Sequence, residues 1–287
     1  MMNAEPPLVS IITPTYNSAR YLPDLLRSVE AQDYSRIEHI VIDDGSTDDG
    51  ATLALLQRHP RVRWWSRENR GQYATLNEGF RAATGDFITT ISADDVYVDS
   101  RAIGAMAEFL AQHQECDLVY GYTRHVDENG APLPAQPYQR YPPWMLRYNL
   151  GFIFHCSLLL RKERLLRDGL FFDESLRYIG DADWMIRLYL KKLTFCRIER
   201  SVAAYRHHGT QVSTVATSDS QASVRRRDEH ARVDLKYGTN KTLKAILAVY
   251  DTVQQRRTKA LAAWRAGGAG QIWKLASGWI RRKTHGI

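Results

Sequence analysis

The stretch Ile37-Glu38-His39-Ile40-Val41-Ile42-Asp43-Asp44-Gly45-Ser46-Thr47-Asp48 decides the fold. Ile37–Ile42 is rich in β-branched residues and predicts a short strand, which ends abruptly at two carboxylates and a glycine. Ser46, Thr47 or Asp48 can then cap a helix running to about Arg58. The same strand-then-helix unit recurs on both sides. Leu8–Thr13 is an apolar strand followed by a helix from about Ala19 to Gln32, with Pro23 tolerated in its first turn. Val62–Ser66 precedes a helix over Gln72–Ala83 closed by Gly85, and Phe87–Ser92 is a fourth strand stopping at Asp94-Asp95. This βαβα order predicts an α/β fold: a mostly parallel sheet with helices on both faces. Ligands of such sheets gather at the carboxyl ends of the strands, and three of those ends here carry acidic or Asn-containing turns.

Beyond residue 96 the pattern changes. Asn129–Pro143 contains five prolines and predicts a loop or lid, followed by an apolar strand-like run, Phe152–Leu160, and a helix from about Ala182 to Lys191. Residues past about Ser218 read as basic helices, ending in Gln271–Lys283, where Ile272, Trp273, Leu275, Trp279 and Ile280 share a face. That helix suits either an anionic membrane surface or packing on the body or on a second subunit. The expected organisation is a catalytic domain over 1–217, with a donor half (1–95) and an acceptor half (96–217), and a helical extension over 218–287. The net charge of +7 is concentrated late: from Val224 onward there are 15 Lys or Arg against 4 Asp or Glu. A mildly acidic body with a basic tail argues against a nucleic-acid-binding domain and suits an enzyme whose tail touches something anionic. Cys116, Cys156 and Cys196 lie far apart without a CxxC pair, which predicts free thiols in a reducing compartment. With no apolar run of about 18 residues, the expected location is cytoplasmic.

The motifs are individually ambiguous. Asp94-Asp95 follows a buried strand; two adjacent carboxylates need a compensating cation or donors, and oxygen ligands suit Mn²⁺ or Mg²⁺. A turn and helix cap near Ser100 explain the pair equally simply. Asp43-Asp44-Gly45 could accept from a nucleobase or merely start a helix, and Tyr16 in Pro14-Thr15-Tyr16-Asn17 could lie against a base ring. Asp181 or Asp183, at a helix start after Gly180, could serve as general base or as a cap. Near a metal–diphosphate, a histidine of Tyr205-Arg206-His207-His208 could ligate the ion or donate to phosphate. No GxGxxG opens the first helix, which disfavours a dinucleotide oxidoreductase, and the lack of a Gly-rich basic stretch disfavours a nucleotidyltransferase. A non-catalytic sugar-nucleotide or glycan-binding subunit is a further alternative.

Together these segments resemble the inverting family 2 glycosyltransferases of the GT-A fold. The resemblance is carried by Val9–Asn17, Val41–Asp48, Asn69-Arg70-Gly71-Gln72 with Leu76-Asn77-Glu78-Gly79-Phe80, Ala83-Thr84-Gly85-Asp86 leading to Ser92-Ala93-Asp94-Asp95, Phe172–Leu176, Gly180-Asp181-Ala182-Asp183-Trp184 with Arg187, and Tyr205-Arg206 with His208. It implies transfer of a sugar from a nucleotide-diphosphate donor, a UDP-sugar, to a hydroxyl of a glycan or lipid-linked acceptor, as in cell-surface polysaccharide synthesis. Pro14, Tyr16 and Asp44 would hold the base, Arg70 and Gly71 would line the nucleotide pocket, and Asp94 would contact ribose or sugar. Asp95 and His208 would serve the metal–diphosphate, Asp181 would be the base, and Trp184, His155 and Asp183 would lie toward the acceptor. Two departures stand out: Gly180 occupies a position where many members have Glu or Met, and the metal motif is Ala93-Asp94-Asp95 rather than Asp-x-Asp.

Overall fold

The computed structural model describes residues 5–133, 143–148, 150, 153–212, 220–250 and 252–253. The strands are β1 (Val9–Thr15), β2 (Ile37–Asp43), β3 (Arg63–Ser66), β4 (Phe87–Thr90), β5 (Val96–Tyr97), β6 (Leu118–Val126), β7 (Leu158–Arg161) and β8 (Phe195–Arg206). The helices are α1 (Leu22–Glu30), α2 (Ala51–Gln57), α3 (Gln72–Ala82), α4 (Ala102–Gln112), α5 (Lys162–Arg167), α6 (Gly180–Leu190) and α7 (Ser220–Lys236). One sheet runs β3-β2-β1-β4-β7-β6-β8-β5. Its first four strands are mutually parallel, as the βαβα order requires. β7 runs antiparallel to both β4 and β6, β8 is parallel to β6, and β5 is antiparallel to β8.

Successive residues of the central strands enter opposite cores, which explains their unbroken apolar runs. Ile12, Ile40, Ile42, Ile88 and Leu158 join one cluster with residues of α3 and α6, whereas Ile11, Val41, Phe87 and Leu159 join the other with α1 and α4. The strand order turns back at β1 and β4, so their carboxyl ends flank the crevice where a ligand fits this architecture.

Three expectations change here. Of the Phe152–Leu160 run, the described part opens as a turn of 3₁₀ helix at His155–Ser157, because Ser157 sends both its N–H and its hydroxyl back to the Phe154 carbonyl; β7 begins only at Leu158. Cys116 and Cys196 are joined in a disulfide, which corrects the expectation of free thiols and leaves Cys156 free and buried. Parallel pairing of β6 and β8 sets Cys196 opposite Val119, and this brings two cysteines 80 residues apart in sequence to a Cα–Cα distance of 5.9 Å. Finally, α7 packs on the body, with Val233 only 2% exposed in the core. Among the described residues no helix is long and apolar enough to cross a membrane. The terminal helix expected at Gln271–Lys283 and most of the proline-rich loop lie outside the described residues.

Candidate active site

The loops that follow β1 and β2 are laced together. Asn17 sends its N–H to Ser46 Oγ at 2.8 Å and accepts the Thr47 N–H at 2.7 Å. Asp43, buried at the end of β2, takes the N–H and hydroxyl of Ser46 and the Ser66 hydroxyl, closing the turn. Gly45 has φ +75°, and a Cβ there would meet the Asn69 nitrogen at 2.9 Å, so the tight turn read from the sequence requires glycine. Tyr16 stands 47% exposed at the rim, while Pro14 is half-buried.

Asp44 has a role the sequence did not suggest. Its Oδ1 accepts from the Arg70 N–H at 2.8 Å and from the Arg67 guanidinium, and its Oδ2 accepts from the Gly71 N–H at 2.9 Å. Arg67 in turn bonds Glu78 of α3 at 2.7 Å. Asp44 therefore pins the 67–71 loop and keeps a single lone pair on Oδ2 for a ligand. The Arg70 side chain remains exposed beside it, and the space over Gly71 is open.

The Asp94-Asp95 pair splits, in the opposite sense from that expected. Asp95 is 2% exposed and its Oδ1 accepts the Arg206 N–H at 3.0 Å; burial, followed by the neighbouring Asp94 charge, holds its carboxyl well above the usual range. The expected metal ligand thus faces inward as a structural group. Asp94 points outward, its Oδ2 2.9 Å from His208 Nε2. His208 is oriented by Thr210 at 3.0 Å and packs on Tyr21. Arg206 is the keystone of this edge. Its guanidinium bonds Asp24 of α1 (2.9 Å), the Asp94 carbonyl (2.8 Å) and the Glu128 carbonyl (3.1 Å), and it lies over the Tyr21 ring.

Asp181 sits in the first turn of α6. Its carboxyl is raised, chiefly by burial, although the charge of His155 and the Ala182 N–H favour the ionised form. His155, held by Thr90 at 2.8 Å, lies within electrostatic reach of both Asp181 and Asp94, and burial lowers its imidazole. The charges of Asp181 and Asp94 thus both act on His155. The Asp181 N–H donates to the Tyr73 hydroxyl at 3.3 Å. A Cβ at Gly180 would lie 2.5 Å from the Tyr73 ring, which explains glycine at this position of the chain.

Two acceptor-side expectations are corrected. Trp184 is 1% exposed, stacks on Phe172, and donates its indole N–H to the Leu170 carbonyl at 2.6 Å, so it is core. Asp183 is fully buried; it pairs with Arg187 within α6, and it ties α6 to Lys236 at the end of α7 and to Tyr237 just beyond it. Of the two aspartates only Asp181 carries no cation hydrogen-bonded to its carboxylate among the described residues. Sequence reasoning missed Arg67, Tyr73 and Arg206, whose partners lie 8 to 182 residues away. The signal that could have found Tyr73 was the unusual glycine before Asp181.

Both the sequence and the fold have known relatives. The family described as glycosyl transferase family 2 matches residues 10–167. An uncharacterized glycosyltransferase of Rickettsia typhi is 34% identical over 201 residues, covering 67% of this chain and 62% of its own length. A PGL/p-HBAD biosynthesis glycosyltransferase of Mycobacterium bovis is 25% identical over 74% of the chain and 82% of its own length. The chain spans 27% to 62% of the length of its rickettsial relatives. Two solved structures share the fold. S. aureus TarS with UDP-GlcNAc has 18% identity and a TM-score of 0.60, covering 96% of this chain and 92% of that one. A Pyrobaculum calidifontis mannosyltransferase with GDP-Man and Mn²⁺ has 21% identity and a TM-score of 0.59, covering 96% and 80%. With more than half of its 287 residues matched by that family, the chain belongs to glycosyl transferase family 2.

Proposed function

We propose that this chain is an inverting glycosyltransferase that moves a sugar from a nucleoside-diphosphate donor, a UDP-sugar, to an acceptor hydroxyl on a glycan or lipid-linked glycan. The observation that carries this reading is the juxtaposition of Asp181, a carboxylate with an elevated proton affinity, with Asp94 and His208 across His155. The donor reading is supported by the exposed Tyr16, Arg70 and the open space over Gly71, which line a crevice at the strand ends, and by relatives of the same fold that hold UDP-GlcNAc or GDP-Man.

In this mechanism Asp181 accepts the proton of the acceptor hydroxyl as that oxygen attacks the anomeric carbon, and the bond from that carbon to the diphosphate oxygen breaks on the opposite face. Burial makes the Asp181 carboxylate a stronger base than an exposed aspartate. Among the described residues no group of three metal-ligating side chains occurs, but Asp94 and His208 offer one carboxylate oxygen and one imidazole nitrogen side by side. That pair fits a divalent cation that draws its other ligands from diphosphate oxygens and water. Bound there, Mn²⁺ or Mg²⁺ would neutralise charge developing on the leaving diphosphate.

Donor hydrolysis or transfer with a panel of nucleotide sugars, alongside thermal shift with UDP, tests the reading. Asp181→Asn should lower turnover by about 10²–10⁴-fold and leave the UDP-induced shift in place. Full activity in Asp181→Asn would refute the assignment of the base.

A further inference from the structure

A second cleft lies beside the base, outside the donor crevice. It has a volume of about 350 Å³ and is lined by Arg177, Tyr178, Arg225, Asp228, Glu229 and Arg232. One wall is α7 and the other is the loop that leads into α6. Glu229, 5% exposed, fixes these walls together: its carboxylate accepts the N–H groups of Arg177 (2.8 Å), Tyr178 (2.8 Å) and Ile179 (3.2 Å). Asp181 follows two residues later, and the charge of Arg226, next to Arg225 on α7, acts on it. The cleft and the base therefore share a wall.

The charges of the cleft are unbalanced, with three arginines against the two carboxylates of Asp228 and Glu229. Three donors already occupy the Glu229 carboxylate. Among the described residues the guanidinium groups of Arg177, Arg225 and Arg232 have no hydrogen-bonding or ion-pair partner. Elsewhere in the molecule Arg67, Arg164, Arg187 and Arg206 are each met by carboxylates. Three forked cations converging from two elements match an oxyanion with several oxygens better than one carboxylate, because guanidinium binds phosphate through paired donors. In the reading above the donor's diphosphate lies at Asp94 and His208, held through a cation. A ligand on the α7 side of Asp181 is the one whose hydroxyl the base must reach.

We propose that this cleft holds a phosphate group of the acceptor, so that the molecule receiving the sugar carries a phosphate close to its reacting hydroxyl. The proposal rests on the reading of Asp181 as the base and names the acceptor class for that site.

The test uses the full chain and two probes of the same chemistry: glucose 6-phosphate, with glucose as control, and phosphatidylcholine vesicles doped with polyprenyl phosphate. Calorimetry and co-sedimentation read binding in wild type, Arg225→Glu/Arg232→Glu, the milder Arg225→Gln/Arg232→Gln, and Asp94→Asn. A UDP thermal shift is read in parallel. Both arginines are exposed and unpaired, so the variants should fold, and their melting curves confirm it. At least one phosphate probe should bind wild type and Asp94→Asn, with affinity lower by about 10-fold or more in both arginine pairs, while glucose does not bind and the UDP shift persists in wild type and in both arginine pairs. Binding of the sugar phosphate assigns the phosphate to a soluble acceptor; binding of the vesicles alone assigns it to a lipid carrier. Equal binding of the probes by wild type and both arginine pairs, or binding of neither probe by wild type, overturns the proposal. Loss of the UDP shift in every protein, with cleft binding intact, sinks the glycosyltransferase reading instead.

Discussion

At Gly180 the lack of a side chain lets the Tyr73 ring approach the start of α6 and its hydroxyl take the N–H of Asp181. A methyl group there would have to displace a ring that is 6% exposed and stacked on Phe172. Overpacking of this kind costs about 1–3 kcal/mol, so Gly180→Ala should lower the melting temperature by several degrees. Because the displaced ring carries Asp181 with it, kcat should fall by at least about 10-fold while UDP binding is kept. An unchanged kcat in a folded Gly180→Ala protein would show that Tyr73 does not position the base. Asp181 also sets a pH dependence. Its folded carboxyl is raised, mainly by burial, and a base works only when deprotonated. Turnover should therefore decline as pH falls through a midpoint above the ordinary aspartate value of about 3.9. A pH–rate profile flat down to that value counts against the assignment.

Among the elements, α7 carries more than its sequence announces. Basic and exposed along most of its length, it reads as an appendage, yet Glu229 takes three backbone N–H groups of the loop before α6, and Lys236 bonds Asp183 at 2.9 Å. Glu229→Ala strips those N–H groups of their acceptor, with a cost of about 1–3 kcal/mol for each one that water does not reach. Calorimetric melting should reveal this loss, and kcat should fall while the KM for donor stays near wild type; a matching rise in donor KM would mean the loop serves the nucleotide instead. The strands β1, β2 and β4 were legible because both of their faces are buried, which leaves continuous apolar runs. β6 and β8 escaped notice because polar residues such as Arg124, Arg197, Glu199 and Arg200 interrupt them. Asp44, Asp94 and Asp181 were legible as chemistry-bearing residues at strand ends and a helix start. Their partners were not: nothing local to Asp95 tells that the Arg206 N–H will claim it, or that Trp184 will close over the core.

For the molecule as a whole, the disulfide between Cys116 and Cys196 spans 80 residues and fastens the second part of the sheet beside β6 and β8. A cross-link of that reach contributes about 2–4 kcal/mol, so a reductant should lower the melting temperature by on the order of 10 °C. Thiol titration of the unfolded, unreduced protein should find Cys156 alone; three reactive thiols would contradict the cross-link. The Arg206 guanidinium has a different consequence, for how this protein can be taken apart. The ends of β4 and β6 and the start of α1 meet on a side chain supplied from the end of β8, 182 residues from its partner Asp24. The segment over residues 1–95 is therefore no module that can be excised. A chimera that exchanges acceptor recognition between relatives must keep β8 with its original partners, and a crossover placed between β4 and β8 would separate the Asp94 turn from the residue that shapes it.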